Sequence, residues 1–100
     1  MAMETKNRLK KFIESRLGYL EERVKEIEKF ASVCFLPRVA QEAMSFGEMK
    51  TEFYEDLREA RRELSEEERR YFYGKVLELI HRADKAIMET FEKCNYSKKE

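Results

Sequence analysis

His81, the single histidine of this chain, follows Glu78 by three positions. On a helix this spacing places a carboxylate and an imidazole on one face, as carboxylate-bridged di-metal bundles require. Both residues fall roughly 140–160° from the centre of the apolar face of their own helix, so we expect them to point out of the bundle. A di-metal site assembled across an oligomer is therefore an alternative. The favoured prediction assigns no metal and no cofactor to the chain.

The two cysteines, Cys34 and Cys94, have neither zinc-ligand nor redox-motif spacing. In an up-down-up bundle the ends of the first and third helices share one pole, which brings these two residues near each other. We favour two separate buried thiols, with a disulfide as the alternative, because sequence does not define the Cβ separation that a disulfide needs. His81 lies mid-helix and away from both thiols, so no catalytic nucleophile is predicted.

Basic and aromatic residues alternate in two places. One flank of the first helix carries Arg16, Tyr19 and Arg23, and Arg69 and Arg70 precede a run of three aromatic residues. Aromatic rings beside guanidinium groups are typical of platforms that bind single-stranded nucleic acid. The favoured interpretation is structural: arginine stems cover aromatic rings at the core edge and pair with glutamates of a neighbouring helix.

Lys50 and Arg61 fall inside the apolar stripe of the second helix. We expect them to form ion pairs that set helix register, with Glu42 and Asp84 as partners, rather than to line a pocket for an anion. Charge reversal at Arg61 is then expected to lower the melting temperature.

The elements that position these groups are three long helices. In the first, apolar residues recur at alternating steps of three and four and form a coiled-coil-like seam: Leu17, Leu20, Val24, Ile27, Ala31 and Cys34. This pattern predicts a helix from about Thr5 to Cys34. Pro37 disfavours a helical Leu36 and suits the first position of a second helix, which predicts a reversal of the chain there.

The second helix is expected from Pro37 to about Leu64, continuous but kinked near Ser45-Gly47; a separate helix capped at Ser45 is the alternative. Ser65 and Glu68 form a second candidate capping box, and acidic residues fill the turn that follows. The third helix is predicted from Glu66 to about Asn95. The domain spans residues 1–96, and residues 97–100 form a polar tail.

The third helix carries more apolar surface than a three-helix bundle needs. With Tyr73, Leu77 and Met88 included, its apolar arc approaches ~200°. The surplus indicates either a central position in the bundle or an interface with a second copy. We expect an all-α, up-down-up bundle that associates through its third helix as a homodimer.

Composition restricts the function classes further. Charged and hydrophobic residues each make up 42% of the chain, and 21 basic residues balance 21 acidic ones. Zero net charge disfavours a surface built as a whole for nucleic acid, and the lack of a long apolar run predicts no membrane span, no signal peptide and a cytoplasmic location. The abundance of Glu, Lys and Arg is thermophile-like. We expect a non-enzymatic interaction or regulatory protein, with a nucleic-acid accessory protein as the alternative.

Overall fold

Three helices run up, down and up in the computed structural model, which describes the backbone of residues 2–99 and the side chains of residues 7–94. Helix α1 is Ala2–Ser32, α2 is Leu36–Ala60 and α3 is Glu66–Lys99. The bundle measures 64 × 19 × 16 Å between Cα atoms. Helix α1 packs closely against both other helices, whereas α2 and α3 touch each other much less.

The core follows the predicted seams. In α1, Ile13, Leu20, Val24 and Ile27 are fully buried, and they pack against the stripes of α2 and α3. The α2 stripe buries five predicted residues before the connection to α3 and a sixth within it: Val39, Phe46, Phe53, Leu57, Ala60 and Leu64. Steps of three and four keep these residues on one side of each helix, so the predicted all-α, up-down-up fold is confirmed.

The turn between α1 and α2 is a Schellman cap. The N–H of Phe35 donates to the carbonyl of Phe30, and the N–H of Cys34 donates to the carbonyl of Ala31. Cys34 adopts the left-handed conformation (φ 56°) that this cap requires, and the Phe30 and Phe35 rings meet edge to face across it. Local hydrogen bonds therefore end α1 at Ser32, two residues before the predicted end.

Helix α2 is continuous through Gly47, so a separate helix beginning at Ser45 is wrong. The helix begins at Leu36, one residue before the predicted start at Pro37, which lies in its first turn. The helix ends at Ala60, four residues early, because the N–H groups of Glu63 and Leu64 both donate to the carbonyl of Ala60 and close a turn. The kink expected near Ser45-Gly47 stays a prediction.

The capping box at the start of α3 is formed as predicted. The hydroxyl oxygen of Ser65 accepts from the N–H of Glu68 at 3.1 Å, and the Glu68 carboxylate accepts from the N–H of Ser65 at 2.8 Å. The second bond is the largest cause of the lowered pKa of Glu68. Helix α3 continues to Lys99, so residues 97–99 of the predicted tail have helical backbone.

Cys34 and Cys94 form a disulfide that joins the turn after α1 to the last part of α3. Their Cα atoms are 5.7 Å apart, within the usual range for this bond. The favoured expectation of two separate buried thiols is therefore wrong. Cys94 is buried, but Cys34 is exposed because the Schellman cap turns it away from the α1 seam.

Candidate interaction surface

A line of apolar side chains on α3 lies outside the core. Tyr73, Leu77, Met88 and Phe91 are 41%, 52%, 61% and 64% exposed, and the half-buried Ile80 and Ile87 lie between them along the helix. We call these six residues the helix-three face. They recur at helical spacing over about 27 Å and form one largely apolar surface, with the exposed Asp84 between Ile80 and Ile87.

The neighbouring helix leaves this face largely uncovered. The aromatic contacts that join α2 to α3 lie near the connection between the two helices, where the Tyr54 and Tyr73 rings stack at 5.8 Å and Phe53 meets Phe72 edge to face. Burial in this contact, aided by Tyr73, raises the pKa of Tyr54. Farther along, α1 covers only the opposite side of α3, so Leu77, Met88 and Phe91 face solvent.

The size of the face places it among small protein interfaces. Large aromatic side chains have areas of roughly 150–250 Å², so the four exposed residues offer on the order of 400 Å² of apolar surface. This is about as large as the largest apolar patch on a typical monomer and about half of one side of a standard interface. The face fits a weak or transient contact.

A cleft of ≈ 460 Å³ lies between α1 and α3 beside the disulfide. Ala31 and Ala86 leave this space open, and an ion pair lies at its edge: Arg82 donates two hydrogen bonds to Glu28, at 2.8 and 3.1 Å. The hydrogen bond from Arg82 is the largest cause of the lowered pKa of Glu28. These charges satisfy each other and tie α1 to α3, which is a structural role.

The basic flank of α1 is paired with α2. Arg16 lies 5.3 Å from the Phe12 ring and donates to Asp56 at 3.3 Å, and Arg23 donates to Glu42 at 2.6 Å. Tyr19 is exposed. Glutamates and aspartates of α2 therefore occupy two guanidinium groups that a nucleic acid would need, and no observation on this flank favours nucleic-acid binding.

The second basic and aromatic cluster is also internally paired. Arg70 donates to Glu66 at 2.9 Å on the surface of α3, and Lys75 lies 5.7 Å from the centre of the Tyr71 ring. Arg69 is half-buried in the first turn of α3. Nucleic-acid binding by Arg69 and Arg70 stays a prediction.

Glu78 and His81 are both exposed, on the side of α3 predicted for them. Glu78 lies 3.8 Å from Lys75, one turn earlier. Among the described side chains no group of three or more His, Cys, Asp or Glu is placed to hold a metal ion. A metal site shared between copies of the chain stays a prediction that these positions do not favour.

The predicted register pairs of Lys50 and Arg61 are not the ones that form. Glu42 pairs with Arg23 and with Arg38, at 2.6 and 3.0 Å. Arg61 is exposed at the end of α2 because that helix stops at Ala60. Because Arg61 is not in the core, charge reversal at this position is no longer expected to lower the melting temperature.

Sequence reasoning named Glu42 as an ion-pair residue but missed its partners, Arg23 and Arg38. This carboxylate is 4% exposed and lies between two guanidinium groups, one of which, Arg38, covers the Phe30 ring at 4.6 Å. The signal was present, because Glu42 lies in phase with Val39 and Phe46 and follows Arg38 by four positions.

The chain matches no protein-family model, no curated protein and no solved structure. None of the helices within residues 2–99 is long and apolar enough to cross a membrane. The geometry of the chain itself is therefore the basis for any functional proposal.

Proposed function

We propose that this chain is a small, non-enzymatic interaction protein that associates with helical protein surfaces, in the first instance with a second copy of itself, through the helix-three face. The observation that carries the proposal is the exposure of Leu77, Met88 and Phe91 in one line on α3. Single exposed apolar residues need no explanation, but a continuous line of them at helical spacing is typical of a binding surface.

The charge distribution supports this assignment over the alternatives. The basic residues on the α1 flank already pair with carboxylates of α2, and the Glu28–Arg82 pair ties α1 to α3. In contrast, the four exposed residues of the helix-three face are apolar or aromatic, so water is displaced from them at little electrostatic cost.

The solution mass measured by light scattering over a dilution series tests the proposal. We expect a monomer–dimer equilibrium in the micromolar range or weaker, because the apolar area is below that of a standard interface. Met88→Glu puts a carboxylate into the contact and should shift the chain to monomer.

Met44→Glu is the matched control. Met44 is 72% exposed on α2 and is not part of the helix-three face, so this variant should dimerise like the parent chain. A parent chain that stays monomeric at the highest concentration would rule out self-association. If both substitutions weaken dimerisation equally, the contact lies elsewhere.

We place the protein in the cytoplasm of an organism that grows at high temperature. The abundance of charged residues and the disulfide support this location together, because intracellular disulfides are common in hyperthermophiles and rare in the cytosol of mesophiles. Free-thiol titration of protein from the cytosolic fraction of its own cells tests it: absence of the protein from that fraction, or reduced Cys34 and Cys94 within it, would contradict the proposal.

A further inference from the structure

We infer that the second copy docks antiparallel, with α3 packed along α3 of its partner and a two-fold axis passing beside position 82. This inference rests on the proposed self-association and specifies its geometry. It derives from the order of residues on the helix-three face and from the single charged residue within that line, Asp84, which is exposed.

The helix-three face is nearly palindromic. Tyr73 and Phe91 lie nine positions either side of residue 82, and Leu77 and Ile87 lie five positions either side. An antiparallel pair centred there places aromatic against aromatic at the first pair of positions and aliphatic against aliphatic at the second, while Asp84 meets the partner subunit's Ile80. A two-fold contact requires such a self-complementary surface, because each residue meets its counterpart from the other half of the same patch.

Asp84 distinguishes the two possible directions. In a parallel, in-register pair it would face the same residue of the other copy, and two carboxylates would share a desolvated site. In the antiparallel pair the two carboxylates are offset by about 6 Å along the axis. Each lies instead opposite the partner subunit's Ile80 and one residue along the axis from the partner's His81, whose imidazole N–H can donate to it.

The helix dipoles also favour an antiparallel pair. Antiparallel α3 helices place the positive N-terminal end of each dipole beside the negative C-terminal end of the other. Gly74 is exposed, and a Cβ added to it would meet nothing within 4 Å. In the antiparallel register the partner subunit's Met88 lies two residues, about 3 Å along the axis, from this position, and its flexible side chain reaches the open space.

Cross-linking through single introduced cysteines tests the direction directly. The native cysteines are bonded to each other, so a short bifunctional maleimide reacts only with the introduced thiol. His81→Cys lies about 3 Å along the axis from the same residue of the other copy, whereas Gly74→Cys lies about 24 Å from its counterpart. All the substituted positions are exposed, so the three variants should fold normally.

We expect His81→Cys to cross-link alone, and Gly74→Cys to cross-link with Met88→Cys in a mixture several-fold more than either does alone. Cross-linking of all three single variants would show a parallel pair and overturn this inference while leaving the proposed function intact. No cross-linking of any variant, together with a monomeric mass, would overturn both.

Discussion

At the scale of single residues, burial of charge marks the positions with the largest energetic consequences. Glu42 is one of two buried polar residues among the described side chains, and both of its partners remain partly open to water. Desolvation of the carboxylate is offset by two charge-assisted hydrogen bonds, of which the one from Arg23 connects α1 to α2 and the one from Arg38 lies within α2. Removing that charge leaves two guanidinium groups without their acceptor.

We predict that Glu42→Gln lowers the free energy of unfolding by about 1–2 kcal/mol, less than for a fully buried pair because water screens both arginines. Urea denaturation measures this change. Glu21→Gln is the control: it removes only an exposed contact with Lys25 at 3.8 Å, and we expect a change of no more than about 0.5 kcal/mol. Equal effects in the two variants would show that burial of Glu42 contributes nothing.

At the scale of elements, sequence patterns located the starts of α2 and α3 to within a residue but placed the ends of α1 and α2 too late. The Ser65–Glu68 capping box forms as predicted, and Pro37 lies in the first turn of α2, one residue after its start. The early end of α2 at Ala60 is different, because the turn that follows keeps Leu64 in the core without extending the helix. Apolar periodicity reports which side is buried, so it cannot show whether the chain there is helix or turn.

The contact between α1 and α3 should depend on pH through Glu28. Its pKa is lowered in the folded chain, chiefly by the hydrogen bond from Arg82. This stabilisation is therefore present above the unfolded-state pKa and is lost as the pH falls through the folded value. Both side chains are more than a third exposed, so screening limits the effect to about 1 kcal/mol or less.

Thermal unfolding between neutral and acidic pH tests this prediction. We expect the parent chain to lose more stability on acidification than Glu28→Gln, which has no carboxylate to protonate at that position. Glu78→Gln serves as the control, since Glu78 forms an exposed ion pair with Lys75 and acts on Arg82 only through its charge, without a hydrogen bond. Identical pH profiles for the parent and Glu28→Gln would contradict the assignment.

At the scale of the whole molecule, the disulfide compensates for an uneven bundle. Helix α1 holds both other helices, but α2 and α3 touch little, so the far end of α3 depends on α1 and on the Cys34–Cys94 bond. The bond closes a long loop, with a sequence separation of 60, and therefore restricts the unfolded chain strongly. The loose contact between α2 and α3 is also the reason that the helix-three face stays exposed.

We predict that the double variant Cys34→Ser with Cys94→Ser loses about 4 kcal/mol of stability. Cys34→Gly with Cys94→Ser should lose about 1 kcal/mol less, because glycine adopts the left-handed conformation of position 34 without the cost of a Cβ. Chemical denaturation of both variants measures the difference. Stability equal to that of the parent chain would mean that the bond does not constrain unfolding.

The sequence by itself determined the three helices, their order, their buried sides and the cap at Ser65, because each depends on residues within a few positions of one another. Tertiary structure decided that Cys34 bonds Cys94, that Glu42 pairs with Arg23, and that Leu77, Met88 and Phe91 stay uncovered. These outcomes depend on how far apart the helices pack and on where each one ends. Spacing along a single helix does not contain those distances.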